Sequence, residues 1–191
     1  MENDFETINR LIRTRRSIFP PDYSDQPIPR DVVEAILANA NFAPTHRLTQ
    51  PWRFTVFREN GLVQLADFLA ETYRSQTPPA AFSQGKYETT RTKILRSSCV
   101  IAINMELHPE KVPEWEELAA VACAVQNMWL TATALNVGAY WSTPGNLDEL
   151  GEFLNLDPSR KCVGIFYMGY HTAAEKPAIR KPIEEKVTWV E

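Results

Sequence analysis

The sequence predicts a layered α/β or α+β domain in which helices cover a sheet, and three observations carry that prediction. Segments with apolar residues at helical spacing alternate along the chain with short apolar runs of strand length. One of these runs, Cys99-Val100-Ile101-Ala102-Ile103, shows no polar alternation and therefore reads as a strand buried on both faces. The 191 residues suffice for one full core, which buries roughly 70% of the unfolded chain's surface, and are too few for two ordinary domains. Residues 1–191 accordingly read as a single domain.

The elements follow in order. Phe5, Ile8, Leu11 and Ile12 recur at helical spacing, and this first helix runs out in Arg13, Arg15 and Arg16, where cations suit the negative end of the helix dipole. Pro27 and Pro29 precede a second helix carrying Val32, Val33, Ile36, Leu37 and Ala40, and Pro44 stops it. Arg53 to Phe57 reads as a short strand and Leu62 to Tyr73 as a helix. The stretch around Thr77, Pro78 and Pro79 reads as a surface excursion suited to a mobile lid. A helix from Tyr87 to Arg96 leads into the buried Cys99 strand.

From Glu117 to Val137 the pattern is helical throughout, with Gly138 marking the end. Its Leu118, Val121, Ala122, Val125, Met128, Trp129, Ala132 and Leu135 surround most of the circumference, so it needs cover on more than one side, as a central helix or against a partner subunit. Ala139-Tyr140-Trp141-Ser142 reads as a strand, Leu147 to Leu154 as a short helix after the Pro144-Gly145-Asn146 turn, and Lys161 to Tyr170 as the last core strand. The tail from Lys176 to Glu191 ends in Val187-Thr188-Trp189-Val190, a strand-like piece without a local partner that would suit another subunit's sheet.

Composition narrows the function. A net charge of -4 with no basic run argues against sequence-independent binding to nucleic acid. The acidic start, with Glu2, Asp4 and Glu6, lacks the charged and apolar regions of a signal peptide, and no apolar run reaches spanning length. A soluble, cytoplasmic protein without a membrane partner is expected. Cys99, Cys123 and Cys162 sit in apolar surroundings and read as small buried hydrophobes. His46, His108 and His171 are scattered, so no metal is expected. With 7 glycines and neither a dinucleotide fingerprint nor a Walker loop, any phosphate must be held by side chains and helix ends.

Two motifs carry chemistry. Arg15-Arg16-Ser17 offers guanidinium forks and a hydroxyl, the donor set a phosphate needs. The loop from Pro44 to Pro51 places His46 and Gln50 between prolines that restrict the backbone, so its polar groups can be held ready for a ligand. Helix capping by the arginines and a rigid turn at the loop are the alternatives.

With Gly138-Ala139-Tyr140-Trp141-Ser142-Thr143-Pro144-Gly145 after the long helix and Arg180-Lys181-Pro182-Ile183-Glu184-Glu185 in the tail, these motifs stand in the order and spacing of the FMN-dependent nitroreductase family. The chain resembles that family over nearly its whole length, most of all its short single-domain NAD(P)H nitroreductases. The resemblance implies an α/β/α sandwich whose central, mainly antiparallel sheet is completed by the partner's C-terminal strand. It also implies a homodimer with FMN at the subunit interface and NADH or NADPH as co-substrate.

By the same resemblance, Arg15 and Ser17 bind the FMN phosphate or ribityl chain, Arg16 lies alongside, and Arg180 adds a second guanidinium. His46 and Gln50 come from the partner chain, with His46 on the substrate side. Trp141, Ser142 and Thr143 run beside the flavin ring, with the backbone of Pro144 and Gly145 near its reactive edge, and Lys93 lies near the pyrimidine. No catalytic side chain is implied, because the cofactor does the chemistry. The implied reaction passes a hydride through the flavin to a nitroaromatic, quinone or similar acceptor. A specialised dehydrogenase, dehalogenase or flavin-consuming enzyme, or a non-enzymatic FMN-binding redox protein, fits the same scaffold. Two positions depart from the family pattern: Ile18 and Phe19 follow Ser17 where a further basic residue is usual, and His46 replaces a serine or small polar residue.

Overall fold

A computed structural model of the chain describes residues 3–174 and 177–191. Glu2 of the acidic start and Lys176 at the head of the tail lie outside the described residues. The elements are α1 (Asp4–Thr14), α2 (Arg30–Ala40), β1 (Trp52–Phe57), α3 (Asn60–Gln76), α4 (Gln84–Leu95), β2 (Cys99–Glu106), α5 (Glu114–Ala134), β3 (Val137–Ser142), α6 (Leu147–Phe153) and β4 (Arg160–Tyr170). The strands form one antiparallel sheet in the order β1-β2-β4-β3.

The Cys99 strand has the place its sequence demands. β2 is hydrogen-bonded on both edges, with Ile101 opposite Val56 of β1 and opposite Phe166 of β4. The period of two sends Cys99, Ile101, Ile103 and Met105 to one face, where they meet α2 and α5, and Val100 and Ala102 to the other, where they meet residues of α3 and α6. Each face buries its own apolar cluster, so the sheet is covered on both sides and the layered α+β sandwich is observed.

The long helix is displaced from its expected limits. α5 starts at Glu114 and ends at Ala134, while Val137 already belongs to β3. Asn136, at φ 56°, makes the left-handed turn that ends the helix, so Gly138 does not mark its end. Gly138 is required for another reason: a Cβ there would lie 2.8 Å from the His171 ring and 2.9 Å from Ile18. Cys123 also departs from expectation. Cys99 and Cys162 are buried, whereas Cys123 faces outward from α5, on the side that turns away from α2 and the sheet.

Two apolar surfaces have no cover among the described residues. No residue of α1 is buried, and its Phe5, Ile8 and Ile12 are exposed. The tail carries exposed Ile179, Ile183, Trp189 and Val190, and Val187 to Val190 form no strand here. The expected lid around Pro79 is a short 3₁₀ turn, Pro79–Ala81, after which Phe82 stacks on Tyr73 of α3. Among the described residues no helix is long and apolar enough to cross a membrane.

Candidate functional site

The first cluster grows from the end of α1. A capping box fixes its start, with Glu6 N–H donating to Asn3 Oδ1 and Asn3 N–H to the Glu6 carboxylate. At Arg15 the backbone turns from helical to extended (ψ 126°). The strand-like segment that follows is held from three sides. Ser17 bridges to Ala139 of β3, Trp129 Nε1 donates to Arg16 O at 3.3 Å, and the Tyr23 hydroxyl donates to Ile18 O at 2.9 Å.

This frame places Arg15 half-buried, its guanidinium 4.4 Å from the centroid of the Trp129 ring. Its Nη1 is buried and has no hydrogen-bond partner among the described residues. Burial holds the Arg15 pKa below its usual value, and the neighbouring charges of Arg16 and Arg180 push it the same way. Cations gathered around a buried, unsatisfied donor make an arrangement that an anion would complete. The capping role is also present: Arg16 Nη1 donates to Arg13 O and Arg15 O, both at 2.7 Å.

Trp141, two residues beyond Ala139 on β3, is seated by a β-bulge. β2 pairs Ile103 with Gly164 but Asn104 with Cys162, so Val163 is the extra residue of β4. The Trp141 indole N–H donates to Val163 O at 3.3 Å. Gly164, at φ 149°, leaves room for the indole, since a Cβ would come within 2.0 Å of Trp141 Nε1. Ser142 ends β3 and Thr143 is exposed beyond it, and at Gly145 an added Cβ would meet nothing within 4 Å.

The second cluster is the loop between α2 and β1. Arg47, Leu48 and Gln50 all have positive φ (48°, 55° and 45°), an unusual density of left-handed non-glycine residues. Polar bonds hold the shape: Gln50 N–H donates to Thr45 Oγ1 at 3.0 Å, and Arg53 Nη1 donates to Gln50 O at 2.8 Å. Gln50 is exposed. His46 is 60% exposed and its Nδ1 lies 2.5 Å from Glu116 Oε2 in the first turn of α5.

The two clusters sit at opposite ends of α5. Glu116 and Trp129 are thirteen residues apart, roughly 20 Å along the axis. The chain therefore brings Arg15, Arg16, Ser17 and Arg180 together beside β3, and His46 with Gln50 elsewhere. Lys93 joins neither: it is exposed on α4, which packs on α3 against the other side of the sheet. A cleft of about 570 Å³ opens beside the first cluster, lined by Arg10, Thr14, Arg16, Asn136 and His171 among others. The sequence pattern counts Trp129 only among the apolar residues that surround the long helix and gives no role to Glu116. The stacking of Arg15 on Trp129 joins positions 114 apart in the chain and the pairing of His46 with Glu116 positions 70 apart, beyond any local pattern.

Comparison with known proteins agrees with this architecture. The model of the Nitroreductase family matches residues 12–170. "Putative NAD(P)H nitroreductase YfhC" of Bacillus subtilis is 26% identical over 181 residues, 93% of this chain and 91% of the relative. "Putative NAD(P)H nitroreductase YdjA" of Escherichia coli K12 is 28% identical over 155 residues, covering 78% and 81%. Among solved structures, a nitroreductase-like family protein from Bacillus cereus superposes with a TM-score of 0.84 at 26% identity, covering 100% of this chain and 99% of that one. A nitroreductase from Desulfovibrio desulfuricans, solved in complex with FMN, shares the fold at a TM-score of 0.72 and 24% identity, over 100% and 99%.

Proposed function

This chain belongs to the Nitroreductase family, and from that premise we propose that it is an FMN-dependent oxidoreductase using NADH or NADPH to reduce a nitroaromatic, quinone or similar acceptor. The observation that carries the reading is Arg15: a buried Nη1 without a hydrogen-bond partner among the described residues, beside Arg16 and Arg180. A terminal phosphate supplies the acceptor oxygens and the negative charge this cluster lacks, and Ser17 adds a hydroxyl next in the chain. One phosphate site of this kind suits FMN, and the sequence has no glycine-rich loop to hold the second phosphate of a dinucleotide.

When bound, FMN supplies the redox chemistry, and the protein supplies binding, orientation and exclusion. Arg15, Ser17 and Arg180 hold the phosphate end, with Arg16 alongside. Trp141, locked by its bond to the bulge, presents Ser142, Thr143 and the backbone of Pro144 and Gly145 beside the ring. His46 and Gln50 enter from the partner of a homodimer, in keeping with their distance from Arg15 in one chain. Lys93 is the outlying member, a cation for the pyrimidine only if the second subunit or the ring reaches α4. The relatives named as NAD(P)H nitroreductases support this choice of reductant.

The test is a spectrum followed by two half-reactions. The purified protein is expected to be yellow and to release FMN, not FAD, on denaturation. NADH or NADPH should bleach it anaerobically, and a quinone or nitroaromatic should restore the colour in a separate mixing step, giving ping-pong kinetics. A colourless protein that FMN does not reconstitute would overturn the flavin reading. Failure of both nicotinamides to bleach a yellow protein would overturn the reductase.

A further inference from the structure

We infer that Glu116 is the positioning residue for His46: its carboxylate accepts a hydrogen bond from Nδ1–H and so fixes the tautomer and ring orientation in which Nε2 is offered to a ligand. The inference rests on the reading of His46 as a residue on the acceptor side of the proposed site.

A carboxylate only accepts hydrogen bonds, so at 2.5 Å from Glu116 Oε2 the Nδ1 of His46 must carry the proton. Nε2 is then the nitrogen left for chemistry. Without such a partner, a ring that is 60% exposed would sample several rotamers and both tautomers. The contact thus specifies what the loop alone does not.

Both sides of the contact are held. On α5, the glutamates flanking position 116 are tied to different parts of the chain. Glu114 takes Lys161 Nζ at 2.7 and 2.9 Å, and the buried Glu117 takes the His108 N–H at 3.1 Å and its Nδ1 at 2.7 Å. The first turn of the helix is therefore clamped, and its carboxylates face the positive end of the helix dipole. On the other side, the left-handed residues Arg47, Leu48 and Gln50 follow His46, and Thr45 and Arg53 tie down the loop around it. Strained backbone held in place by its surroundings concentrates at sites that bind ligands.

The pairing also constrains the ligand. A neutral ring offers an Nε2 lone pair, and a protonated ring offers Nε2–H as its remaining donor, Nδ1–H being spent on Glu116. A protonated ring would suit an acceptor with an exposed oxygen, such as a quinone carbonyl or a nitro group.

The experiment compares wild type, Glu116→Ala, Glu116→Gln and His46→Ala by nitrogen-15 NMR of the imidazoles and by stopped-flow reoxidation of the reduced holoenzyme with a quinone. Wild-type His46 should show a protonated Nδ1. Glu116→Ala should shift it to the Nε2–H form and slow reoxidation by about tenfold, the lower end of what losing a histidine-orienting partner costs in metal sites. Flavin content should be unchanged. Glu116→Gln, whose carbonyl can still accept, should restore much of both. An unchanged tautomer in Glu116→Ala would overturn the inference, as would a changed tautomer with wild-type reoxidation. Normal reoxidation in His46→Ala would overturn it through the placement of His46, recognisably so because the tautomer shift would still be seen. The tautomer is read with or without flavin, so a protein that binds no FMN fails the functional reading separately.

Discussion

The Arg15 guanidinium lies over the Trp129 ring, 4.4 Å from its centroid, while the Trp129 indole N–H donates to the carbonyl of Arg16. One aromatic side chain thus supports both the first arginine of the motif and the backbone of the second. The sequence marks the arginines; the tryptophan that aims them comes from the far end of another helix.

This relationship predicts how FMN binding responds to mutation. Arg15→Ala should weaken FMN binding by about 1.5–3 kcal/mol, the worth of charged hydrogen bonds to phosphate. Arg15→Lys should recover only part of the loss, since a point charge does not reproduce the fork or its stacking. Trp129→Leu should weaken FMN binding although it touches no phosphate. Fluorescence titration of apoprotein with FMN measures all three, and an Arg15→Ala affinity equal to wild type would return the residue to helix capping.

Two glycines should be intolerant for steric reasons. Gly164→Ala would drive a methyl into the Trp141 indole at a backbone angle few side chains adopt, and should cost more than the 1–3 kcal/mol or so of ordinary overpacking. Gly138→Ala would press on His171 and Ile18, moving the segment that carries Arg15 and Ser17. Urea unfolding checks the first expectation. For the second, a loss of FMN affinity larger than that of an equally destabilised core variant such as Ile36→Val would show that the segment has moved.

Dimer formation should depend on the uncovered apolar surfaces. Phe5 is 72% exposed on α1 and Trp189 84% exposed in the tail, an arrangement typical of an interface. The dimer should bury more than roughly 2,000 Å², as permanent complexes do. Deleting residues 187–191 should raise its dissociation constant, which sedimentation velocity across a dilution series would reveal. A folded, FMN-loaded monomer at micromolar concentration would contradict this.

Stability should fall on the alkaline side for an identifiable reason. Burial pushes the Cys99 thiol up from an ordinary 9.0 to about 12, so between those values the unfolded chain loses this proton and the folded chain keeps it. The stabilisation is complete below about pH 9 and declines by about 1.4 kcal/mol per pH unit until the folded thiol also ionises. Tyr23 and Tyr167, also raised by burial, should steepen the decline above about pH 10. Cys99→Ala should flatten the first part of the curve in urea titrations between pH 8 and 10. An identical slope in wild type and variant would rule the thiol out as its source.

What the sequence determined by itself was the set of elements and the chemistry they carry. Periodicity places most helices and all the strands because an apolar face must be buried whatever it meets, and β2, apolar on both faces, had to be central. The end of α5 was misplaced because Leu135 and Val137 extend the apolar pattern past Asn136, whose left-handed turn is a backbone event without an apolar signature. Cys123 was misjudged for a related reason: on a helix apolar nearly all round, composition does not say which side the chain leaves open. Only tertiary structure decided that Arg15 stacks on Trp129, that His46 pairs with Glu116, and that the Val163 bulge receives the Trp141 indole. Each joins residues distant in sequence through directional contacts, and these are set by how the layers pack rather than by any local preference of the chain.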